Sequence, residues 1–398
     1  IISPNDSLET AQPVPMNHTV AGEIKVAREL DHDYYSIQAK AGERISVELD
    51  CVRLCDKAYA ESEYDLLVRI LDENGKVLAS CDDSDLHVQD PILSIAASYS
   101  GKYFIHIRQQ LFKGGRWIFY RAHIGNFMRP VIAYPLGGQA GTTETIQLLG
   151  DGLGTTAQQV TWPTKTGDFN FYPGESSVKP PSHLPLRVCT FPNAMEDQIE
   201  QTHDAPVALN GIISTAGEED VFKVFMKKGV QYRIRVFARG NGSPIDSRVW
   251  VRHVDKQDLA VSIDDATWSE RGKPVIPRGL QRPELLDGSA THTPQEDGIH
   301  LVGIGDLRGL GGEQFVYRVE IAEARDTIHN HTVSWANDRF EINRTAGFIV
   351  PRGNKWSVNV YVAEEIGNTY KGALCLVPVG LPKGITMIAP DYVPGMNG

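Results

Sequence analysis

The side chains able to do chemistry are few, and most are carboxylates at the ends of short apolar runs. Asp31 and Asp33 precede Tyr34-Tyr35, Asp82-Asp83 follow Ser80-Cys81, and Asp264-Asp265 follow Ser262-Ile263. Oxygens gathered at loop ends suit a hard cation such as calcium, which takes about six to eight of them. The competing reading is that such Asp and Asn side chains cap turns by accepting backbone N–H groups. Gly150-Asp151-Gly152-Leu153-Gly154 has glycines at nucleotide-loop spacing. No helix signal follows it, and a phosphate cradle needs a helix N-terminus, so it reads as a turn. No Gly-x-Ser-x-Gly elbow, His-Glu-x-x-His helix or Gly-Lys-Ser/Thr loop occurs. His329 and His331 alternate as on a strand, a spacing that suits a metal or plain solvent exposure. Cys51, Cys55, Cys81, Cys189 and Cys375 leave at least one thiol unpaired, with one disulfide possible among the first three. Cys51 and Cys55 stand at C-x3-C spacing without a second pair, which reads as ordinary buried or singly paired thiols rather than a zinc site.

The elements that must position these groups are strands. The central stretch, 64–90, reads as a β-hairpin: an apolar run over Leu66-Leu67-Val68-Arg69-Ile70-Leu71, then Asn74-Gly75, then Val77 and Ala79. Asn-Gly between apolar runs predicts a type I′ turn, with positive φ at both positions. Arg44-Ile45-Ser46-Val47-Glu48-Leu49 alternates with period two, as do the runs over 33–39, 92–95 and 101–107. In the adjacent aromatics Tyr34-Tyr35 and Phe119-Tyr120, one ring of each pair must face the core and the other outward. No long segment has a 3.6-residue period. The chain is therefore all-β, built of tandem β-sandwich modules.

The order of the first 127 residues recurs in 191–325. Asn5 corresponds to Asn193, Gly22 to Gly211, Asp33 to Asp220, Gly42 to Gly229, Asp65 to Asp246, Asp90 to Asp287 and Gly101 to Gly298. The second copy carries an Arg- and Pro-rich insertion over 268–286 that reads as an exposed loop. Two copies make two similar domains rather than a solenoid. Between them, 128–190 holds short strands with glycine turns, and 172–185 reads as a proline-rich extended connector. A fourth unit, 326–398, alternates again and is short enough to be truncated. Four sandwich modules in a row are expected.

At 398 residues the chain is too long for one core. Its net charge of −11 opposes nucleic-acid and anionic-membrane binding and fits solubility or cation binding. No run of about 18 apolar residues predicts a membrane helix. The start at Ile1 is consistent with a processed secreted protein and equally with a cytosolic one.

The two repeats resemble the bacterial pre-peptidase C-terminal domain, similar to the collagen-binding domains of clostridial collagenases. Pro4-Asn5-Asp6, Asp31-His32-Asp33-Tyr34-Tyr35, Ala41-Gly42, Asp65, Asn74-Gly75, Asp82-Asp83 and Gly101-Lys102-Tyr103 carry the resemblance. Pro192-Asn193, Glu219-Asp220-Val221-Phe222, Gly229, Asp246, Asp264-Asp265 and Gly298 carry it in the second copy. The 128–190 unit resembles a small immunoglobulin-like module of the TIG kind, through Pro130, Pro135, Gly137-Gly138 and Gly150-Asp151-Gly152. The end, with Leu381-Pro382-Lys383-Gly384-Ile385, is similar to immunoglobulin-like modules. Such strings resemble large secreted proteins of planctomycete-like bacteria.

The resemblance implies jelly-roll-like sandwiches that are non-catalytic appendages of secreted, cell-surface or periplasmic proteins, binding protein or polysaccharide. The alternatives are an accessory region of a secreted hydrolase, with catalysis elsewhere or at a module interface, and a purely structural spacer. It also implies a calcium site at Asn5, Asp6, Asp31 and Asp33. Ile1 and Ser3 stand where the family has glutamates, and the second copy keeps Asn193 and Asp220 without an Asp after Asn193, so both sites are weakened. A bacterial origin would leave the glycosylation acceptors at Asn17, Asn330 and Asn343 idle.

Overall fold

A computed structural model describes residues 5–25, 31–55, 64–87, 89–110, 118–174, 178–264, 287–324, 331–336, 352–355, 359–364, 372–378, 381–389 and 391. The insertion at 268–286, Asp265, His329, Asn330 and Asn343 lie outside these residues, and so does most of the 326–398 unit.

The first unit is a sandwich of two antiparallel sheets with one short parallel edge strand. Its strands are β1 (Gln12–Pro13), β2 (His18–Ile24), β3 (His32–Ala39), β4 (Arg44–Asp50), β5 (Leu66–Leu71), β6 (Val77–Cys81), β7 (Ile92–Ala96), β8 (Gly101–Gln109) and β9 (Ile118–Gly125). One sheet has the order β1-β3-β8-β5-β6, the other β2-β9-β4-β7. The period-two pattern does the sorting. Ile45, Val47 and Leu49 of β4 meet Tyr35 and Ile37 of β3 and Ile105 and Ile107 of β8 in one core. Each such buried aliphatic side chain contributes about 1.5–3 kcal/mol. Tyr35 and Tyr120 are the inward members of the two aromatic pairs.

The second repeat has the same strand order. Its strands are β16 (Asn193–Met195), β17 (Thr202–Asp204), β18 (Val207–Ile212), β19 (Glu219–Met226), β20 (Tyr232–Phe237), β21 (Ser247–His253), β22 (Val261–Ile263), β23 (Ser289–His292), β24 (Gly298–Asp306) and β25 (Val316–Glu323). They form β17-β19-β24-β21-β22 and β16-β18-β25-β20-β23, which repeat the first unit's sheets with β16 added at one edge. Register matches residue for residue. Asp33 faces Ile107 and Ala39 faces Gly101, as Asp220 faces Ile304 and Met226 faces Gly298. Asp65 and Asp246 each accept an N–H from the residue just past the β8-type strand, Gln110 and Leu307. A slip of one residue would have turned each core face outward.

Between the repeats, β10 (Ile132–Tyr134), β12 (Thr143–Leu149) and β13 (Thr156–Thr161) form one sheet. β11 (Gly137–Gln139), β15 (Leu184–Cys189) and β14 (Gly167–Phe171) form another. Among the described residues Trp162 is the largest fully buried side chain, and its indole lies over Gly138, where a Cβ would come within 1.9 Å of Nε1. Of the C-terminal unit, β26 (His331–Ala336) and β27 (Asn359–Glu364) are described, paired antiparallel.

Three expectations are corrected. The central hairpin is present, but Asn74 does not have positive φ, so the turn is not type I′. Asp72 organises it instead: its Oδ1 accepts the Asn74 and Lys76 N–H groups, Gly75 alone takes φ of 81°, and a bulge follows Ile70. Residues 172–185 are not a linker between modules, because Leu184 and Pro185 begin β15, which pairs with both β14 and β11. Asn5 and Asn193 are not equivalent. The Asn5 carbonyl accepts the Tyr34 N–H, whereas Asn193 is drawn into β16 beside β18 on the opposite sheet. The three described units also pack on one another. The first and second repeats touch directly, with Leu86 3.1 Å from where a Cβ on Gly242 would sit.

Candidate functional site

Of the acidic residues picked out in the sequence, Asp6, Asp31 and Asp33 come near one another in the first sandwich, with Asn5 beside them. Asp33 is buried, and its Oδ2 accepts the Tyr120 hydroxyl from the opposite sheet; Tyr120 is also 2.6 Å from the Tyr35 hydroxyl. Gly22 makes room for this contact, since a Cβ there would fall 2.0 Å from the Tyr120 ring. Burial pushes the Asp33 carboxyl up from 3.8 to about 6, against the pull of the Tyr120 hydroxyl and the Asn5 side chain, while nearby Asp31 and Asp6 add to the push. Asp31 accepts the Lys25 N–H through Oδ2, and Asp6 is exposed. Asn5 is buried with its Nδ2 donating no well-aligned hydrogen bond. The four residues are therefore electrostatic neighbours, with one Asp33 oxygen committed to Tyr120. Among the described residues, no group of three or more His, Cys, Asp or Glu is already arranged around a metal position.

The second sandwich repeats the bridge. Tyr317 donates to Asp220 at 2.5 Å, Gly211 lies under the Tyr317 ring, and burial pushes Asp220 up to about 6. Phe222 stands where the first copy has Tyr35, so the hydroxyl chain is one member shorter. Glu196 and Glu218 are the acidic neighbours of Asp220 here.

The largest polar constructions are at the module junctions. On the outer face of β4, Glu48 is fully buried against Arg129, whose Nε lies 2.7 Å from Glu48 Oε2 as an ion pair without an aligned N–H. Arg53 reaches Glu48 at 3.2 Å and Asp90 at 2.7 Å. Burial alone would raise the Glu48 carboxyl, but Arg129, His87 and Arg53 together hold it far below the usual carboxylate range. Asp151 accepts the Arg129 N–H at 2.7 Å and pairs with Arg44 at 2.8 Å, so the predicted glycine turn ties the middle unit to the first. Gly152 is pressed against β7, where a Cβ would meet the Ile95 nitrogen at 2.4 Å.

The other junction uses the outer face of the matching sheet in the second repeat. Arg318 is fully buried. It donates to Asn193 at 2.7 Å, Asn210 at 3.0 Å, Glu320 at 2.9 Å and the Cys189 sulfur at 3.0 Å. Asn193 in turn donates to the Gly137 carbonyl and to Glu144 of the middle unit. Ile132, Leu136 and Leu149 of the middle unit share a cluster with Val316 of the second repeat.

Two hydroxyl–imidazole pairs can be compared with hydrolytic machinery. At the first junction Ser182 Oγ lies 2.7 Å from His87 Nε2, and Glu48 lies 3.5 Å from the same nitrogen. A nucleophile–base–acid relay needs the two ring nitrogens to serve different partners. Ser182 also accepts from Arg129 at 2.8 Å, which occupies one of its two lone pairs. On the outer face of the β2-β9-β4-β7 sheet, Thr19 Oγ1 is 2.8 Å from His123 Nδ1, and Asp50 is 3.1 Å from His123 Nε2. This trio does use both nitrogens, but Asp50 is shared with Arg53 at 2.7 Å. Burial would raise the Asp50 carboxyl, yet His123 and Arg53 hold it below its ordinary value.

Sequence reasoning missed Glu48, Arg129 and Arg318. The signal was available in part. Glu48 and Arg318 sit at the polar positions of strands that otherwise read as buried, and Arg129 stands at a module boundary beside Pro130. Period two assigns such positions to solvent unless a second module is known to cover them.

Cys81, Cys189 and Cys375 are free thiols, and burial pushes the Cys81 thiol up to about 11. Among the described residues, no helix is long and apolar enough to cross a membrane.

No family model matches this chain, and no curated protein matches it. Solved structures similar to parts of it include the pre-peptidase C-terminal domain of collagenase from Bacillus anthracis. It is 14% identical over 29% of this chain and 93% of that one, with a TM-score of 0.21. PliG, a periplasmic lysozyme inhibitor from Aeromonas hydrophila, is 16% identical over 29% of this chain and 96% of that one, with a TM-score of 0.20. The tandem CBM51 modules of a family 98 glycoside hydrolase from Streptococcus pneumoniae are 10% identical over 76% of this chain and 88% of that one, with a TM-score of 0.20. Similarities at this level carry no argument, and the all-β, multi-sandwich architecture rests on the strands themselves.

Proposed function

We propose that this chain is a non-catalytic binding or spacer segment of a secreted or cell-surface bacterial protein, in which the sandwich modules are locked into one fixed arrangement. The repeats are read as pre-peptidase C-terminal-like modules and 128–190 as a TIG-like module, in a planctomycete-like multi-module protein. The domain limits kept are 1–127, 128–190, 191–325 and 326–398. The observation that carries the reading is the pair of buried charge networks, around Glu48–Arg129 and around Arg318, at both faces of the middle unit. These charges are buried only while the modules stay in contact, and removing one partner of such a pair costs about 3–5 kcal/mol because the other is left buried alone. A chain meant to flex between modules would have no use for charges matched across the junctions. A fixed array suits spacing, or presenting more than one surface at once to a protein or polysaccharide partner. Its acidic charge of −11 fits neither nucleic acid nor an anionic membrane as that partner. Calcium at Asn5, Asp6, Asp31 and Asp33 belongs to this proposal, supported by Asp31 and Asp6 both acting on the buried Asp33 carboxyl.

The second reading, a hydrolase accessory region with chemistry of its own, is favoured by one observation, the Thr19–His123–Asp50 trio. One experiment separates the readings: the full chain is screened on ester, peptide and glycoside substrates and in parallel on glycan and collagen arrays. Array binding without turnover is expected. Turnover that disappears in Thr19→Ala would overturn the first reading in favour of the second.

A further inference from the structure

Three histidines of the second sandwich point inward at one end of its core. Val249, Val251 and His253 occupy the inward positions of β21, and His300, Val302 and Ile304 those of β24. His292 ends β23, which belongs to the other sheet. His253 and His300 stand directly opposite each other across the β21–β24 ladder. The first sandwich fills the matching places with Tyr103 for His300 and Ile95 for His292. Tyr103 faces Ile37 as His300 faces Val224, and Ile95 faces Ile45 as His292 faces Tyr232. There a stacked Tyr99–Tyr103 pair closes the end of the core, with centroids 4.5 Å apart. The second copy has put imidazoles where hydrocarbon and phenol would serve.

The imidazole geometry has a specific form. His300 is 3% exposed, and its Nδ1 lies 3.2 Å from the Gly298 carbonyl. A carbonyl can only accept, so the proton sits on Nδ1 and the Nε2 lone pair is left open. That Nε2 is 3.3 Å from His292 Nε2. The His253 ring lies 5.2 Å from the His300 ring, with its Nε2 turned toward Gly298, which has no side chain to obstruct it. The Asp255 N–H donates to His253 Nδ1 at 3.2 Å, its carboxylate lies 3.8 Å from the same nitrogen, and Glu296 pairs with Lys256 at 2.6 Å. Two metal–nitrogen bonds of about 2.0–2.1 Å in a tetrahedral site place their nitrogens about 3.3–3.4 Å apart. Fixing a ligating ring through its other nitrogen on a carbonyl is the outer-shell arrangement such sites use.

We propose that His292 and His300 form a two-histidine chelate for a borderline divalent transition-metal ion, zinc in the first instance, with His253 turning from Gly298 to complete the protein ligands and water filling the rest. Imidazole ligands favour this class of ion over calcium, which prefers oxygen. The site clamps the two sheets of the second sandwich at one end and is independent of the calcium residues of the first.

The test is calorimetric titration of the full chain with zinc chloride at neutral pH, in wild type and in His292→Gln, His300→Gln, His253→Ala and His32→Gln. His32→Gln is the control, because it disrupts the first sandwich's own imidazole pair, where His32 Nδ1 lies 2.9 Å from His106 Nε2. One zinc per chain is expected. Affinity should fall at least ~100-fold in His292→Gln and in His300→Gln, about tenfold in His253→Ala, and stay unchanged in His32→Gln. Zinc should also raise the melting temperature of wild type and not of His292→Gln. Should the buried His300→Gln fail to fold, half-buried His292 still decides the matter. Absence of stoichiometric zinc binding, or binding that survives His292→Gln, would overturn the proposal and leave only a neutral imidazole–imidazole hydrogen bond.

Discussion

The Asp33 carboxylate accepts the Tyr120 hydroxyl across the interior of the first sandwich, and Asp220 accepts the Tyr317 hydroxyl at the same place in the second. In each case the acid comes from one sheet and the phenol from the other, and a glycine on the neighbouring strand lies beneath the ring. An interior hydrogen bond kept while most surrounding side chains changed is a locating device. It fixes how the two sheets face each other, because no other packing leaves the carboxylate paired.

Tyr120→Phe should destabilise the chain by about 1–3 kcal/mol at pH 8, since it strips the buried carboxylate of its donor. The sign with pH follows from the raised Asp33 value. Its folded pKa of about 6 exceeds its ordinary 3.8, so its stability contribution is complete below about pH 4 and is lost as pH rises through 6. The hydroxyl offsets that loss by favouring the ionised form. Denaturant melts should therefore show a larger cost for Tyr120→Phe at pH 8 than at pH 5. Equal costs at both would mean Asp33 does not titrate in this range.

Gly22→Ala and Gly211→Ala should each cost about 1–3 kcal/mol, because a methyl would collide with the Tyr120 or Tyr317 ring. Pairing Gly22→Ala with Tyr120→Leu should relieve part of that cost, since the shorter side chain leaves room for the methyl. Strictly additive losses in thermal melts would indicate that the tyrosine ring is not the obstacle.

Arg129→Met should cost about 3–5 kcal/mol by leaving Glu48 buried with fewer partners, and Glu48→Met with Arg129→Met should restore much of it. The Glu48 contribution has the opposite pH sign to that of Asp33. Its carboxyl is held below its ordinary 4.5, so the stabilisation is present above that value and is lost as pH falls. A fragment 1–127 should still unfold cooperatively, but at a lower temperature than within the chain, because Leu86 and Ile92 pack into the middle unit's core. A fragment as stable as its parent would mean the junction contributes nothing.

Millimolar calcium should raise the melting temperature of the full chain through Asn5, Asp6, Asp31 and Asp33, with affinity on the order of 10⁻⁴–10⁻³ M. Asp31→Ala should abolish the rise without disturbing the Asp33–Tyr120 bridge. A melting curve indifferent to calcium would leave these side chains as turn caps alone.

The fold was largely legible because period two and turn residues are local signals. Val47 and Leu49 sort inward wherever the rest of the chain goes, and the matched aspartates and glycines fixed the register of the second copy on the first. The hairpin turn was misread because Asp72 binds the N–H groups of Asn74 and Lys76, a side-chain contact that the Asn-Gly rule does not include. The junctions were illegible for a different reason. Glu48 and Arg318 occupy outward positions, and only the placement of a separate module makes them interior. Asn193 was misassigned for the same cause, since its partners Arg318, Gly137 and Glu144 come from three different strands. The inward histidines at 292 and 300 are only 8 residues apart but belong to strands of different sheets, and with His253 they meet only when both sheets close.

The fixed arrangement of the modules is tested most directly by pulsed electron resonance between spin labels on non-natural amino acids at two exposed positions, Val77 in the first sandwich and Val254 in the second. A single narrow distance is expected in the wild-type chain, broadening in Arg129→Met and in Arg318→Met as each junction loosens. A broad distribution already present in the wild-type chain would contradict the locked array.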